Sequence, residues 1–516
     1  MLDAVSVFED LSPLPPQDPP ITTSLDYEGD DVAPGSASAE IPDAAACRER
    51  TDVILRGPSH GNPFVDVELT ATFTLGDTTI RVGGFYDGGG VYRLRFLPPT
   101  TGRWAFTTAS TARSLDGVRG AVDVGESDAP GPVRVDGRGF VRSDGTPFVP
   151  LGTTSYAWTH QPEELQQETL RSLAGAPFNK LRMALFPKSF LFNSTEPERF
   201  VFERDAEGAW DTTRFDVEYF ARLERRIDDL AASGIEADVI LFHPYDRWGF
   251  GALGAAADDR YVSYVVRRLS AFPNVWWSMA NEYDLLTSKR REDWDRLAGL
   301  VVANDPVRHP LSIHNWVEIF DYSADWATHA SIQGGGREMA QSVAKWRTRW
   351  NKPIVVDEFG YEGDIDQGWG NLTAEEVVRR FWEGTLQGAF LTHGETFWRD
   401  DEVIFWAKGG TLRGESLPRL AFLRELVEGV PGGRIEPLPS DWDFVTGGRD
   451  GYALTYFRDA RPRFRTVRVP QNMRAKIDMI DTWAMTVEEL PGIHEGDVRV
   501  DLPARPYIAV RVRAVD

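Results

Sequence analysis

The stretch NVWWSMANEYD, Asn274–Asp284, decides how the rest of the chain is read. Val275, Trp276, Trp277 and Met279 make an apolar run that stops abruptly at Asn281, Glu282 and Asp284. A strand buried on both faces is apolar throughout, as in the parallel sheets of α/β proteins. Its end must meet water, a ligand or chemistry. An apolar run that delivers carboxylates at its tip reads as a barrel strand ending at a reactive rim.

Working outward, similar runs recur on both sides of it. They are FVPLGTTSY, FNKLRMALF, IEADVILFH, HPLSIHNW, HASIQGG, PIVVDEFG and GAFLTHGETFW. Helical patterns such as FDVEYFARLERRIDDLAASG and AEEVVRRFWEGTLQ lie between most of them. Strands alternating with helices predict a (β/α)8 barrel over residues 132–430. No Gly-x-Gly-x-x-Gly follows the first strand, which disfavours a dinucleotide fold. Before the barrel, residues 47–131 alternate polar and apolar positions, as in VDVELTATFTL and VYRLRFLP, and predict a small antiparallel β-sandwich. After it, residues 431–516 alternate again (YALTYFRD, YIAVRVRAV) and predict a second small β-domain. The fold class is thus multidomain α/β, a TIM barrel between two β-domains. Residues 1–46 are acidic and Pro-rich and have too little apolar surface to fold alone. They are expected to pack as an arm on the barrel or on another subunit, which suggests a homo-oligomer.

Composition narrows the function. The 516-residue chain carries 56 basic and 79 acidic residues, a formal charge of −23. That argues against nucleic acid, whose phosphates require a basic surface. It also disfavours a polyanionic substrate unless a local basic pocket overrides it. One cysteine, Cys47, cannot form an internal disulfide. The first 47 residues hold no Lys or Arg and no long apolar run. Neither a secretory signal nor a membrane span is read there, and a cytoplasmic protein is expected.

In this kind of barrel the active site lies at the C-terminal ends of the strands. The polar residues there are Tyr156, Trp158 and His160 on the first strand, then Arg182 and, just beyond, Lys188 on the second. The third brings His243, Tyr245, Asp246, Arg247 and Trp248, and the fourth Asn281, Glu282 and Asp284. Next come His314, Asn315 and Trp316, then His329 and Gln333. The seventh brings Asp357, Glu358 and Tyr361, and the eighth His393, Glu395 and Trp398. Aromatic rings stack on sugar C–H faces, while carboxylates, Asn and Arg bind hydroxyls, so the mixture suits a carbohydrate. Cleavage of a glycoside with retention needs two carboxyls about 5–5.5 Å apart. Strands four and seven lie nearly opposite in an eight-stranded ring, so Glu282 and Glu358 can face each other across the mouth.

Asn281-Glu282 after strand four, Glu358 after strand seven and Trp398 after strand eight resemble the motifs of clan A retaining glycoside hydrolases. The resemblance implies that Glu282 is the acid/base and Glu358 the nucleophile. It implies further that Asn281 binds the sugar 2-hydroxyl, Arg182 keeps Glu358 ionised, and Trp398 floors the ring. GPSHGNPFVDVELTATF, DGTPFVPLGTTSYAW, FHPYDRWGFG and MIDTWAMTVEEL resemble a bacterial group that joins an N-terminal β-sandwich, an apiosidase-like barrel and a small C-terminal β-domain. The implied activity is retaining hydrolysis of a neutral glycoside or oligosaccharide, with exo action suggested by the long loops after strands two and three.

Substrate contacts are also expected from His243, Asp246, His314, Trp316, Gln333, Tyr156, Trp158 and Glu395. Trp276 and Trp277 are expected in the core. No cofactor or metal is expected. Two other readings are kept. A metal-dependent hydrolase would use His and Asp at strand ends, although the first strand, GTTSYAWTH, lacks the usual His-x-His. A non-catalytic carbohydrate-binding protein would suit the flanking β-domains alone.

Overall fold

The computed structural model describes residues 27–440 and 444–515. The barrel strands are Leu151–Thr154, Lys180–Ala184, Glu236–Phe242, Val275–Ala280, Leu311–Ser312, Ala330–Gln333, Ile354–Glu358 and Ala389–His393, numbered one to eight below. They pair in parallel in the order five, four, three, two, one, eight, seven, six. Strand five is only two residues long, and the ring is completed by a parallel bridge between His314 and Ser331.

Every residue of strands two, three, four and seven is buried. This is the signature of a sheet covered on one face by helices and filled on the other by its own side chains. Amphipathic helices such as Val217–Ala232 and Ala374–Leu386 lay their apolar faces on that sheet. Asp216 caps the first by accepting the backbone N–H groups of Glu218 and Tyr219, and Thr373 caps the second through the Glu376 N–H. Between strands five and six the described chain forms no helix.

The two tryptophans of WWSMANE divide by strand alternation. Trp276 meets Phe140, ring centroids 4.8 Å apart. Phe140 belongs to the small sheet Val133–Asp136, Gly139–Arg142 and Pro147–Phe148, which plugs the N-terminal end of the barrel. Trp277 points the other way and donates its indole N–H to Asp305 at 3.1 Å. Both are core residues, as the sequence suggested.

The N-terminal region is two sheets packed face to face. One contains Thr51–Arg56 and Val91–Phe96; the other contains Leu69–Leu75 and Gly102–Ser110. Phe73 and Phe96 stack between them at 4.2 Å. The arm differs from expectation. Ala39–Glu40 pairs with Thr51–Arg56, and Ala45–Ala46 pairs with Arg119–Gly125, so this part of it extends both sheets of the sandwich. Glu28 accepts from Ser114, and Tyr27 stacks on His60. The described arm therefore lies mainly on the β-sandwich rather than on the barrel: backbone pairing satisfies a segment that has little apolar surface to bury. Residues 1–26 of the expected arm lie outside the described residues.

Arg95 of the sandwich joins it to the barrel through Glu224, at 2.6 Å. At the C-terminal end a six-stranded sheet, Glu436–Leu438 through Ile508–Val515, packs against helix Ala374–Leu386 through Trp382 and Tyr456. Among the described residues no helix is long and apolar enough to cross a membrane.

Candidate active site

Consecutive side chains on a strand point to opposite faces, yet both decisive strands turn two neighbouring polar residues toward the mouth. On strand seven the ladder pairs Ile332 with Val356 and then Gln333 with Glu358, skipping Asp357. This bulge leaves Asp357 inside the barrel and Glu358 above it. On strand four Glu282 adopts φ 50° and ψ 54°, a left-handed conformation. For a residue other than glycine that costs about 1–3 kcal/mol and is found where geometry is functional.

Glu358 accepts a hydrogen bond from the Tyr156 phenol, and His314 Nε2 lies 3.3 Å from the same oxygen. Glu282 accepts from the Tyr245 phenol. Asn281 Oδ1 accepts from Arg182 Nη2 at 2.9 Å and lies 3.1 Å from the Tyr156 hydroxyl. Arg182 is held from below by Asp238 and Asp357, at 3.6 and 3.7 Å. Asp357 also accepts from Lys180 (2.8 Å), Ser331 (2.6 Å) and Thr392 (2.7 Å), so a buried network of charges floors the site.

The two glutamates are polarised in opposite directions. Burial, reinforced by the charge of Glu358, pushes Glu282 up to about 8, against the weaker pull of Tyr245 and Lys188. Burial would also raise Glu358. The hydrogen bond and field of His314, with the Arg182 guanidinium and the Tyr156 phenol, outweigh it and hold Glu358 down at about 2. At neutral pH one carboxyl is an acid and the other an anion. Glycoside cleavage requires that division of labour.

Of the residues singled out in the sequence, Glu282, Glu358, Asn281, Arg182, Tyr156 and His314 converge in this one network. Gln333 joins it through Oε1, 3.3 Å from His314 Nε2. Trp316 and Trp398 stand at the rim, 40% and 48% exposed. Trp398 meets Phe192 edge-on, while Trp406 lies against Tyr156.

Four further residues expected to contact substrate have internal partners of their own. Trp158 is fully buried, with its indole N–H directed at Met183 Sδ. Asp246 accepts the backbone N–H groups of Trp248, Gly249 and Gly251, at 2.7, 3.1 and 2.6 Å, and so shapes its own loop. Glu395 does the same for Arg413 and Gly414, at 2.7 and 2.8 Å. His243 bonds the Phe186 carbonyl through Nε2 and accepts the Tyr245 N–H at Nδ1, 3.1 and 3.2 Å. It positions Tyr245. Burial keeps its imidazole neutral, with a pKa near 3.

Sequence reasoning placed Tyr245 and Lys188 at the strand ends without giving either a role, and it did not name Trp406. Nothing local in the sequence brings Trp406 to Tyr156. Among the described residues no three His, Cys, Asp or Glu side chains gather as a metal-ligand cluster.

Residues 135–409 match the family described as apiosidase-like, catalytic domain. Residues 49–111 and 442–513 match two domains of unknown function, DUF5060 and DUF5605. No curated protein matches the chain. A Bacteroides vulgatus protein assigned as a glycoside hydrolase is 40% identical; the match covers 92% of this chain and all of that one, with a TM-score of 0.87. A family 5 glycoside hydrolase from the same species is 16% identical over 75% of this chain and 93% of its own, TM-score 0.59, and shares the fold. The chain belongs to the apiosidase-like family and is a glycoside hydrolase.

Proposed function

We propose that the protein is a retaining, exo-acting hydrolase of a neutral glycoside or short oligosaccharide, with Glu358 as nucleophile and Glu282 as acid/base. The observation that carries the two-carboxyl chemistry is the opposite polarisation of the buried pair, and the placing of Asn281-Glu282 after strand four and Glu358 at the end of strand seven, the clan A pattern, supports retention. Glu358 attacks the anomeric carbon as Glu282 gives its proton to the departing oxygen. The ester at Glu358 removes that negative charge, so the pKa of Glu282 falls. Glu282 then takes a proton from water, which attacks the same carbon and releases the sugar with retained configuration.

Asn281, fixed by Arg182, is suited to a hydroxyl next to the anomeric carbon. Trp316 and Trp398 offer ring faces at the rim. The excursion between strands two and three carries the hairpin Phe202–Arg204 and Trp210–Phe215, and this loop supports a pocket closed at one end.

The experiment is a screen of aryl glycosides followed by NMR of the first anomer formed. Retention is expected, and early release of the inverted anomer would sink the mechanism. Reduced oligosaccharides then report exo action by yielding one monosaccharide from the non-reducing end.

A further inference from the structure

Lys188 follows strand two in the run LFPKSF and is 4% exposed. Its Nζ lies 3.7 Å from the ring centre of Tyr156, 4.3 Å from that of Trp406 and 4.5 Å from that of Tyr245. Tyr156 and Tyr245 are the phenols that hold Glu358 and Glu282, so the ammonium stands between the supports of the two carboxyls. Among the described residues no carboxylate comes within ion-pairing distance of Nζ and no acceptor takes a hydrogen bond from it. Two other buried lysines are treated differently. Lys180 pairs with Asp238 and Asp357 at 2.6 and 2.8 Å, and Lys289 with Asp258 at 2.7 Å. An ammonium has three donors, and ring faces compensate only part of its lost hydration.

We infer that Lys188 is a specificity residue of the proposed hydrolase: its ammonium donates to a hydroxyl oxygen of the neutral sugar held between Glu282 and Glu358. The inference rests on the reading of those two glutamates given above. A neutral sugar follows from the local charges. The ionisable groups acting on Lys188 are Glu282, Glu358 and Arg182, and the phenols of Tyr156 and Tyr245 border it. Arg182 and Lys180 are balanced by Asp238 and Asp357. The Lys188 ammonium, favoured by both Glu282 and Glu358, then offsets the charge of ionised Glu358 in the site as a whole, and a sugar carboxylate would add an unbalanced anion beside the two glutamates. The cation also favours ionised Glu282. Once Glu358 is esterified, that bias helps Glu282 act as the base.

The test uses the full chain, an aryl glycoside that it cleaves, the monodeoxy analogues of that glycoside and the matching aryl uronide. Lys188→Met is expected to lower kcat/KM about 10–100-fold on the parent, the worth of one charge-assisted hydrogen bond. On one deoxy analogue, the one lacking the partner hydroxyl, the substitution should cost little more. The alkaline limb of the profile should also move to higher pH, because the cation that lowers the Glu282 pKa is gone. Lys188→Gln keeps N–H donors without charge. It should shift the alkaline limb equally and retain more of the hydroxyl coupling, and it serves if the Met variant melts early.

Equal losses on the parent and on every deoxy analogue would overturn the inference. So would a wild-type preference for the uronide that disappears with Lys188. Full turnover by Glu282 and Glu358 variants would instead overturn the underlying reading, whatever Lys188 does.

Discussion

Tyr156 and Glu358 come from strands separated by strand eight, and the phenol of one donates to the carboxylate of the other. The bond favours the ionised carboxylate and is one of the causes that hold Glu358 low. Tyr156→Phe removes the donor and keeps the ring. A hydrogen bond to a charged group contributes about 1.5–3 kcal/mol, so kcat/KM should fall about 10–100-fold. The Glu358 pKa should rise, and the acid limb of the kcat/KM profile should move to higher pH. A pure packing role for Tyr156 would leave that limb in place.

Glu282 makes the folded state sensitive to alkali. Its folded pKa is raised to about 8 from an ordinary value of 4.5, first by burial and then by Glu358. Below pH 4.5 the group is protonated folded or unfolded and costs nothing. Between 4.5 and 8 the unfolded chain ionises first, so stability falls as pH rises. Glu282→Gln cannot ionise and still offers an oxygen to Tyr245. Its melting temperature relative to wild type should climb from pH 4 to pH 9. A flat difference would show that the buried carboxyl carries no such cost.

Much of this architecture was legible because burial writes itself into composition. Each of the eight apolar runs is a barrel strand, and the Asn-Glu and Asp-Glu pairs end strands four and seven. Periodicity could not show how neighbouring side chains share a face. That required a bulge at Asp357 and a left-handed Glu282, both set by tertiary context. Asp246 and Glu395 read as rim carboxylates, but each is consumed by backbone N–H groups of its own or an adjacent loop. A sequence does not show which acceptors the folded loop will need. Lys188 was visible as a polar residue just past strand two, yet its seat against the rings of Tyr156, Tyr245 and Trp406 is assembled from separate loops and is not written in the local sequence. Ala39–Glu40 and Ala45–Ala46 have the composition of an arm and pair all the same, because edge strands draw on backbone bonds more than on side chains.

Under the site, Lys180 is the best-placed cation for two carboxylates. Burial would raise the pKa of Asp357, but Lys180, Arg182 and His314 overcome it and hold the group well below the usual range. Lys180→Met leaves Asp238 and Asp357 facing Arg182 at 3.6 Å or more. Breaking a buried pair by removing one partner costs about 3–5 kcal/mol. Denaturant unfolding near pH 7 should show a loss of that order. Because the Asp357 pKa is depressed, its contribution is present above the ordinary carboxylate range and is lost as pH falls through the lowered value. The gap between variant and wild type should therefore narrow in strong acid. A gap that stayed constant would mean that the methionine itself packs badly.

The final prediction separates the two glutamates by role. General acid/base catalysis contributes about 10²–10⁴-fold, and a good leaving group needs little of the acid half. In Glu282→Ala a dinitrophenyl glycoside should therefore still esterify Glu358, and the ester should accumulate for want of a base to activate water. Azide needs no base. It should accelerate turnover and give a glycosyl azide of retained configuration. In Glu358→Ala the esterifying group is gone from the opposite face. Azide can occupy that space, attack the substrate directly and give the inverted product. The configuration of each azide, read by NMR, reports which face has lost its carboxylate. Inverted azide from Glu282→Ala with retained azide from Glu358→Ala would exchange the roles. Unchanged turnover in both variants would remove the two glutamates from the chemistry.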